Sequence, residues 1–196
     1  MKIIGLTGGI ATGKSAVSTI LSKKGYQVLD ADAVVRQLQV AGSPLLNEMA
    51  KAFGTTILNE DGSLNRTKLG GMIFSDEKKR AMLDNLVHPA VRAEFERQIQ
   101  LAKTDMLFLD VPLLFEAGFD DLADITLVVK ASTKRQLERL MLRDGSSERD
   151  AQARIDSQMA MNEKVKLADF VIDNEGDLYE LAENVERFCE NIRGEK

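Results

Sequence analysis

Short apolar runs bounded by turn residues alternate along the chain with stretches of three- and four-residue apolar spacing. The runs at 2–7, 27–30, 106–110, 125–130 and 169–172 predict five strands. Their near-continuous hydrophobicity suits strands covered on both faces, hence a parallel sheet. After the first run, Val17, Ile20 and Leu21 share one face of a helix, and Gly25 fits its left-handed C-cap. Near the C-terminus, Leu178, Leu181, Ala182, Val185, Phe188, Cys189 and Ile192 have the spacing of another helix's buried face.

Between the second and third strands lie about 75 residues, far more than one crossover helix requires. Ser43-Pro44 supplies an N-cap and first-turn proline to a helix with Leu45, Leu46, Met49, Ala50 and Phe53 inward, ending at Gly54. Asn59-Glu60-Asp61-Gly62 reads as a turn, Gly70-Gly71 weakens the next helical stretch, and His88-Pro89 is expected to separate two more helices. A second, shorter insertion follows the fourth strand. Its first helix, 134–143, stops at Asp144-Gly145-Ser146, and Ser147 with Asp150 opens another.

The element between the first strand and the first helix changes the picture from architecture to chemistry. Gly8-Gly9-Ile10-Ala11-Thr12-Gly13-Lys14-Ser15 is Gly, four residues, then Gly-Lys-Ser: a P-loop placed after a strand and before a helix. Backbone N–H groups and the positive end of the helix suit phosphate oxygens; Lys14 suits the β- and γ-phosphates, and the Ser15 hydroxyl suits Mg2+. The predicted fold is therefore α/β: a P-loop NTPase-type, doubly wound, five-stranded parallel sheet with an inserted helical substrate-binding subdomain and a small helical lid. The expected boundaries are 1–31, 104–140 and 160–196 for the nucleotide-binding core, 32–103 for the helical subdomain and 141–159 for the lid.

Ligands of such sheets lie at the carboxyl ends of the strands. Asp30-Ala31-Asp32 closes the second strand, expected beside the P-loop strand. One of its acids could steer or deprotonate an acceptor hydroxyl, or could simply cap the helix beginning at Ala33. Asp110 ends the third strand in the manner of an Mg2+ ligand, and Glu116 follows an apolar turn nearby. Arg135, Arg139 and Arg143 fall on one helix face. Arg135 fits an ion pair with Glu138, whereas Arg143, beside the hinge, suits neutralising a transferring phosphoryl group. His88 reads from the sequence as a packed or turn residue more readily than as a site residue.

Composition narrows the partners. A net charge of −5 and a pI of 5.1 argue against nucleic acid, so an anionic substrate must be held by a local cluster of cations and N–H groups. Apolar runs are too short to span a bilayer, and a cytoplasmic enzyme is expected. Cys189 is the sole cysteine, which excludes an intramolecular disulfide. No Asn-Lys-x-Asp base-reading segment of a GTPase is present, whereas mobile insertions suit a kinase that keeps water from the γ-phosphate. A nucleotide sensor is the reading from another class, disfavoured because it needs neither an acceptor base nor a lid arginine.

Taken together, Leu6-Thr7-Gly8-Gly9-Ile10-Ala11-Thr12-Gly13-Lys14-Ser15, Asp30-Ala31-Asp32, Val87-His88-Pro89, Pro112-Leu113-Leu114-Phe115-Glu116, Arg139 with Arg143-Asp144, and Ala168-Asp169-Phe170-Val171-Ile172-Asp173-Asn174 resemble the dephospho-CoA kinase family over nearly the whole chain. The resemblance implies ATP-dependent phosphorylation of the ribose 3′-hydroxyl of dephospho-CoA, giving coenzyme A and ADP, with Mg2+ as cofactor. It implies ATP contacts at Gly8, Ala11, Thr12, Gly13, Lys14, Ser15, Ala16, Arg139 and Asn174, with Asn174 near the adenine. It places Asp32, Lys14 and Arg143 in catalysis, Asp32, His88, Leu114 and Glu116 against the acceptor, and Ser15 and Asp110 at the metal. A monomer or small homo-oligomer is expected, and a nucleoside monophosphate kinase is the alternative enzyme. Ala16 departs from the family's common threonine, and Ala11 from a frequent glycine.

Overall fold

The computed structural model describes residues 1–74 and 76–194. Positions 75, 195 and 196, which fall in the expected 32–103 and 160–196 segments, lie outside the described residues. The described residues form two compact units, one made of residues 1–29 and 103–194, the other of residues 30–102.

The strands are β1 (Lys2–Gly8), β2 (Gln27–Asp30), β3 (Met106–Asp110), β4 (Ile125–Lys130) and β5 (Phe170–Asp173), in the sheet order β2-β3-β1-β4-β5. Strand β1 pairs in parallel with β3 and with β4, and β4 with β5. The expectation that the second strand lies beside the P-loop strand is corrected: β3 stands between them. Every residue of β3 is buried, whereas β2 buries one residue fully and ends exposed, so the more apolar strand takes the interior and β2 the edge.

Helices α1 (Lys14–Lys23) and α9 (Leu178–Gly194) cover one face of the sheet. Val17 and Leu21 of α1 join Leu181, Val185, Phe188, Cys189 and Ile192 of α9 on Ile4, Leu6, Phe108, Leu127 and Val129. Cys189 is thus a core residue, and burial pushes its thiol pKa up. Leu178 departs from the expected stripe: it is 71% exposed at the first turn of α9. Three further helices complete the first unit, α6 (Thr133–Asp144), α7 (Glu148–Asp156) and α8 (Met161–Leu167). Ser147 caps α7 and Gly145 closes α6 with φ 63°, as the turn spelling predicts, and Ser132 caps the start of α6.

The second unit is helical: α2 (Ala31–Leu38), α3 (Pro44–Phe53), α4 (Arg66–Ile73) and α5 (Glu77–Leu101). Helix α5 packs on α2, α3 and α4 through Val87, Val91 and Phe95. The predicted break at His88-Pro89 does not occur; both lie inside α5. Proline there removes the N–H that would meet the Asn85 carbonyl, but the turns on either side are held by the three helices packed along α5. No helix among the described residues is long and apolar enough to cross a membrane.

Candidate functional site

Strand β1 aims the glycine-rich loop. Gly8, its last residue, has no room for a side chain: a Cβ would stand 2.6 Å from the Val129 carbonyl oxygen and 2.7 Å from Thr12 Oγ1. The loop then turns on Ala11 and Gly13, both with positive φ, 58° and 99°. The Asn174 carboxamide fills the space where a Gly13 side chain would be. Thr12 is fully buried, its Oγ1 donating to Gly9 O at 2.9 Å, which locks the loop on itself. Helix α1 starts with no side-chain cap and no acid in its first turn. Its first N–H groups and the positive end of its dipole are therefore available to an anion. Ala16 is the exception, since its N–H is spent on the Gly13 carbonyl at 2.9 Å.

Lys14 pairs with Asp110 at the end of β3, and the other oxygen of Asp110 accepts from Ser18 Oγ. Asp110 is 4% exposed, so this buried acid is satisfied by the first turns of α1. Ser15 is exposed in the same turn. Among the described residues no group of three or more His, Cys, Asp and Glu side chains could hold a metal ion. One hydroxyl and one carboxylate do not form a cage, but they fit Mg2+, which keeps most of its waters and takes other oxygens from phosphates.

Across the loop, Arg139 of α6 donates from Nη1 to Thr12 O at 3.3 Å and from Nη2 to Asn174 O at 3.1 Å. Asn174 Nδ2 donates to Thr12 O at 2.8 Å. Arg139 and Asn174 thus brace the loop backbone, a contact that sequence spacing did not reveal. Beside them opens a cleft of about 660 Å3 lined by Gly13, Ala16, Arg139, Asn174, Leu178 and Tyr179. Its exposed Leu178 and Tyr179 offer an apolar wall of the kind that takes a planar base.

Arg143, at the end of α6, is held by Asp144 through Nε at 2.7 Å and Nη2 at 3.1 Å, and Arg154 of α7 reaches the same carboxylate. Hydrogen bonds first from Arg143 and then from Arg154 lower the Asp144 carboxyl to about 2, and the same contact raises the Arg143 pKa. Arg135 meets Glu138 at 3.6 Å, as its spacing predicts, and also donates to the Glu175 carbonyl oxygen at 3.2 Å.

In the second unit, one of the two acids at the end of β2 is a helix cap. Asp30 caps α2, its Oδ1 accepting from the N–H groups of Asp32 at 2.8 Å and Ala33 at 3.2 Å. The carboxylate of Asp32 is exposed in the first turn. His88 lies on α5 with Nε2 3.8 Å from Asp84.

The segment after β3 departs most from expectation. Leu114 is fully buried and packs under Gly5, where a Cβ would come within 2.9 Å of it; its side chain is core and offers nothing to an acceptor. Glu116 is held by Lys164 of α8, 2.8 Å from Nζ to Oε1. Lys164 is fully buried and also donates to the Pro112 carbonyl oxygen at 3.1 Å. Sequence reading missed Lys164, because a lysine in the charged stretch Asn162-Glu163-Lys164-Val165-Lys166 spells a solvated face.

A model of the dephospho-CoA kinase family matches residues 2–180. A dephospho-CoA kinase of Bacillus cereus is 47% identical over 192 residues, 96% of each chain. Among solved structures, dephospho-CoA kinase from Campylobacter jejuni is similar with a TM-score of 0.75 at 29% identity, covering 99% of this chain and 98% of that one. A shikimate kinase from Bacteroides thetaiotaomicron, 13% identical with a TM-score of 0.52 and 98% coverage of each chain, shares the fold. A phosphate-binding loop built on β1 and α1, in a chain matched from residue 2 to residue 180, places this protein in the dephospho-CoA kinase family.

Proposed function

We propose that the protein transfers the γ-phosphoryl group of ATP to the ribose 3′-hydroxyl of dephospho-CoA, and that its own residues divide the work as follows. The observation that carries the reading is the uncapped start of α1 with Lys14 and Asp110 beside it. Backbone N–H groups of Ala11, Gly13, Lys14 and Ser15 hold the phosphates, the Thr12 N–H being donated to the Gly9 carbonyl at 3.2 Å, and Lys14 leaves Asp110 for the β- and γ-oxygens. The adenine occupies the cleft at Asn174, Leu178 and Tyr179, while Arg139 acts through the loop backbone it braces. Ser15 and Asp110 are the residues that would hold Mg2+, which would supply charge neutralisation at the phosphates.

The acceptor oxygen attacks the γ-phosphorus, the bond to the bridging oxygen breaks, ADP leaves, and Asp32 takes the hydroxyl proton. Arg143, released from Asp144, neutralises charge on the transferring group, with residues 141–159 acting as its lid. The helical unit, His88 included, holds dephospho-CoA. The test is ATP consumption measured with dephospho-CoA, AMP, CMP and adenosine as acceptors, with the product's phosphate mapped. Dephospho-CoA is expected to be preferred, with phosphate on the 3′-oxygen. A nucleoside diphosphate formed from AMP or CMP would assign the chain a nucleoside monophosphate kinase activity instead.

A further inference from the structure

A fully buried lysine has to repay the loss of its hydration, and Lys164 does so with three acceptors: both oxygens of Glu116 and the Pro112 carbonyl. The Pro112 oxygen accepts in addition from Thr7 Oγ1 at 3.0 Å, so the ion pair is tied to the strand that carries the phosphate loop. Glu116 Oε1 also takes the backbone N–H of Met159 at 3.2 Å. The neighbouring residue, Gln158, turns its carboxamide the other way: the N–H of Ile10 donates to Gln158 Oε1 at 2.8 Å. Two adjacent residues of the α7–α8 connection are therefore fastened at once, one to the ion pair and one to the phosphate loop.

We infer that Lys164 and Glu116 are positioning residues that set Gln158 on the Ile10 N–H and so hold the phosphate loop in its binding shape. Ile10 lies just before the N–H groups assigned to phosphate, so Gln158 can stay in place when nucleotide binds. Thr12 is braced from the other side by Asn174 and Arg139. With both braces in place, the positive-φ residue Ala11 is held between two fixed points. Neither Lys164 nor Gln158 touches the reacting atoms; their effect passes through the backbone N–H groups of the loop.

The inference rests on the kinase reading, and wild-type turnover of dephospho-CoA checks that reading separately. Three variants test the inference: Gln158→Ala, the charge-balanced Lys164→Met/Glu116→Gln, and the combination of all three substitutions. Gln158→Ala is expected to lower kcat/KM for ATP about fivefold to tenfold, the effect of one hydrogen bond, with KM for dephospho-CoA and the melting temperature unchanged. Amide hydrogen exchange at Ile10, read without any turnover, is expected to speed up by a similar factor. The Lys164→Met/Glu116→Gln protein should show the same loss and the same faster exchange, and adding Gln158→Ala should change it little further. Losses that multiply, or a raised KM for dephospho-CoA in place of the ATP effect, overturn the inference. Should the double variant fail to fold, Gln158→Ala decides alone: unchanged ATP kinetics with unchanged Ile10 exchange rejects it.

Discussion

Ala11 shows how much a single backbone angle carries. At φ 58° it sits in the left-handed region, where a Cβ costs about 1–2 kcal/mol. Glycine would remove that strain, against an added unfolded-state entropy of about 0.4–1 kcal/mol. Ala11→Gly is therefore expected to stabilise the protein by about 0–1.6 kcal/mol in chemical denaturation, and a destabilised variant would show that Ala11 has a packing role. The two acids after β2 separate in the same manner. Asn caps a helix as well as Asp does, so Asp30→Asn should be nearly neutral. Asp32→Asn should cut single-turnover phosphoryl transfer by about 10^2 to 10^4. Its melting temperature should hold and its ATP affinity stay within a few-fold; an active Asp32→Asn enzyme rejects the base role.

At the level of elements, α6 and α7 are joined by one carboxylate. Asp144 receives Arg143 and Arg154, and its folded pKa of about 2 lies below the ordinary carboxylate value of about 4. A lowered folded value means stabilisation that is present above about pH 4 and lost as pH falls through about 2. Melting curves of the wild type and of Asp144→Asn should therefore differ by a constant amount near neutrality and converge between about pH 4 and pH 2. A gap that persists at the acid end would show that Asp144 works by packing instead. The same carboxylate holds Arg143, which gives the proposed lid a defined resting contact. Helix α5 makes a different point: packing along its length carried it through Pro89, where local propensity alone reads as a boundary.

For the molecule as a whole, a nucleotide site built from the start of α1 and the loop before it makes folding and ATP binding one equilibrium. ATP at a hundred times its Kd adds about 2.7 kcal/mol to the folded state. For a chain of this length that corresponds to a rise in Tm of about 5–10 °C. No shift at saturating ATP and Mg2+ would remove the nucleotide site from the phosphate loop. The sheet that supports the site is anchored by a core of Ile4, Leu6, Phe108, Leu127 and Val129 against α1 and α9, which keeps β1 and the loop's origin rigid.

The five strands, the phosphate loop and the caps at Ser43 and Ser147 were legible from sequence, because each depends on periodicity or on a turn residue acting within a few positions. Asp32, Lys14 and Ser15 could be singled out for the same reason: their chemistry is tied to the end of a strand or the start of a helix. Strand order was not legible, since it depends on which strand buries most, and β3 displaced β2 from the place beside β1. Nor were the partners of Glu116, Arg139 and Asn174, or the burial of Leu114 and Lys164. Those depend on residues 35 to 162 positions apart meeting in space, as Arg139 and Asn174 do and as Asn174 and Thr12 do. Local spelling decides backbone shape and the placing of a motif; only the packed chain decides which charge is buried and which other charge it meets.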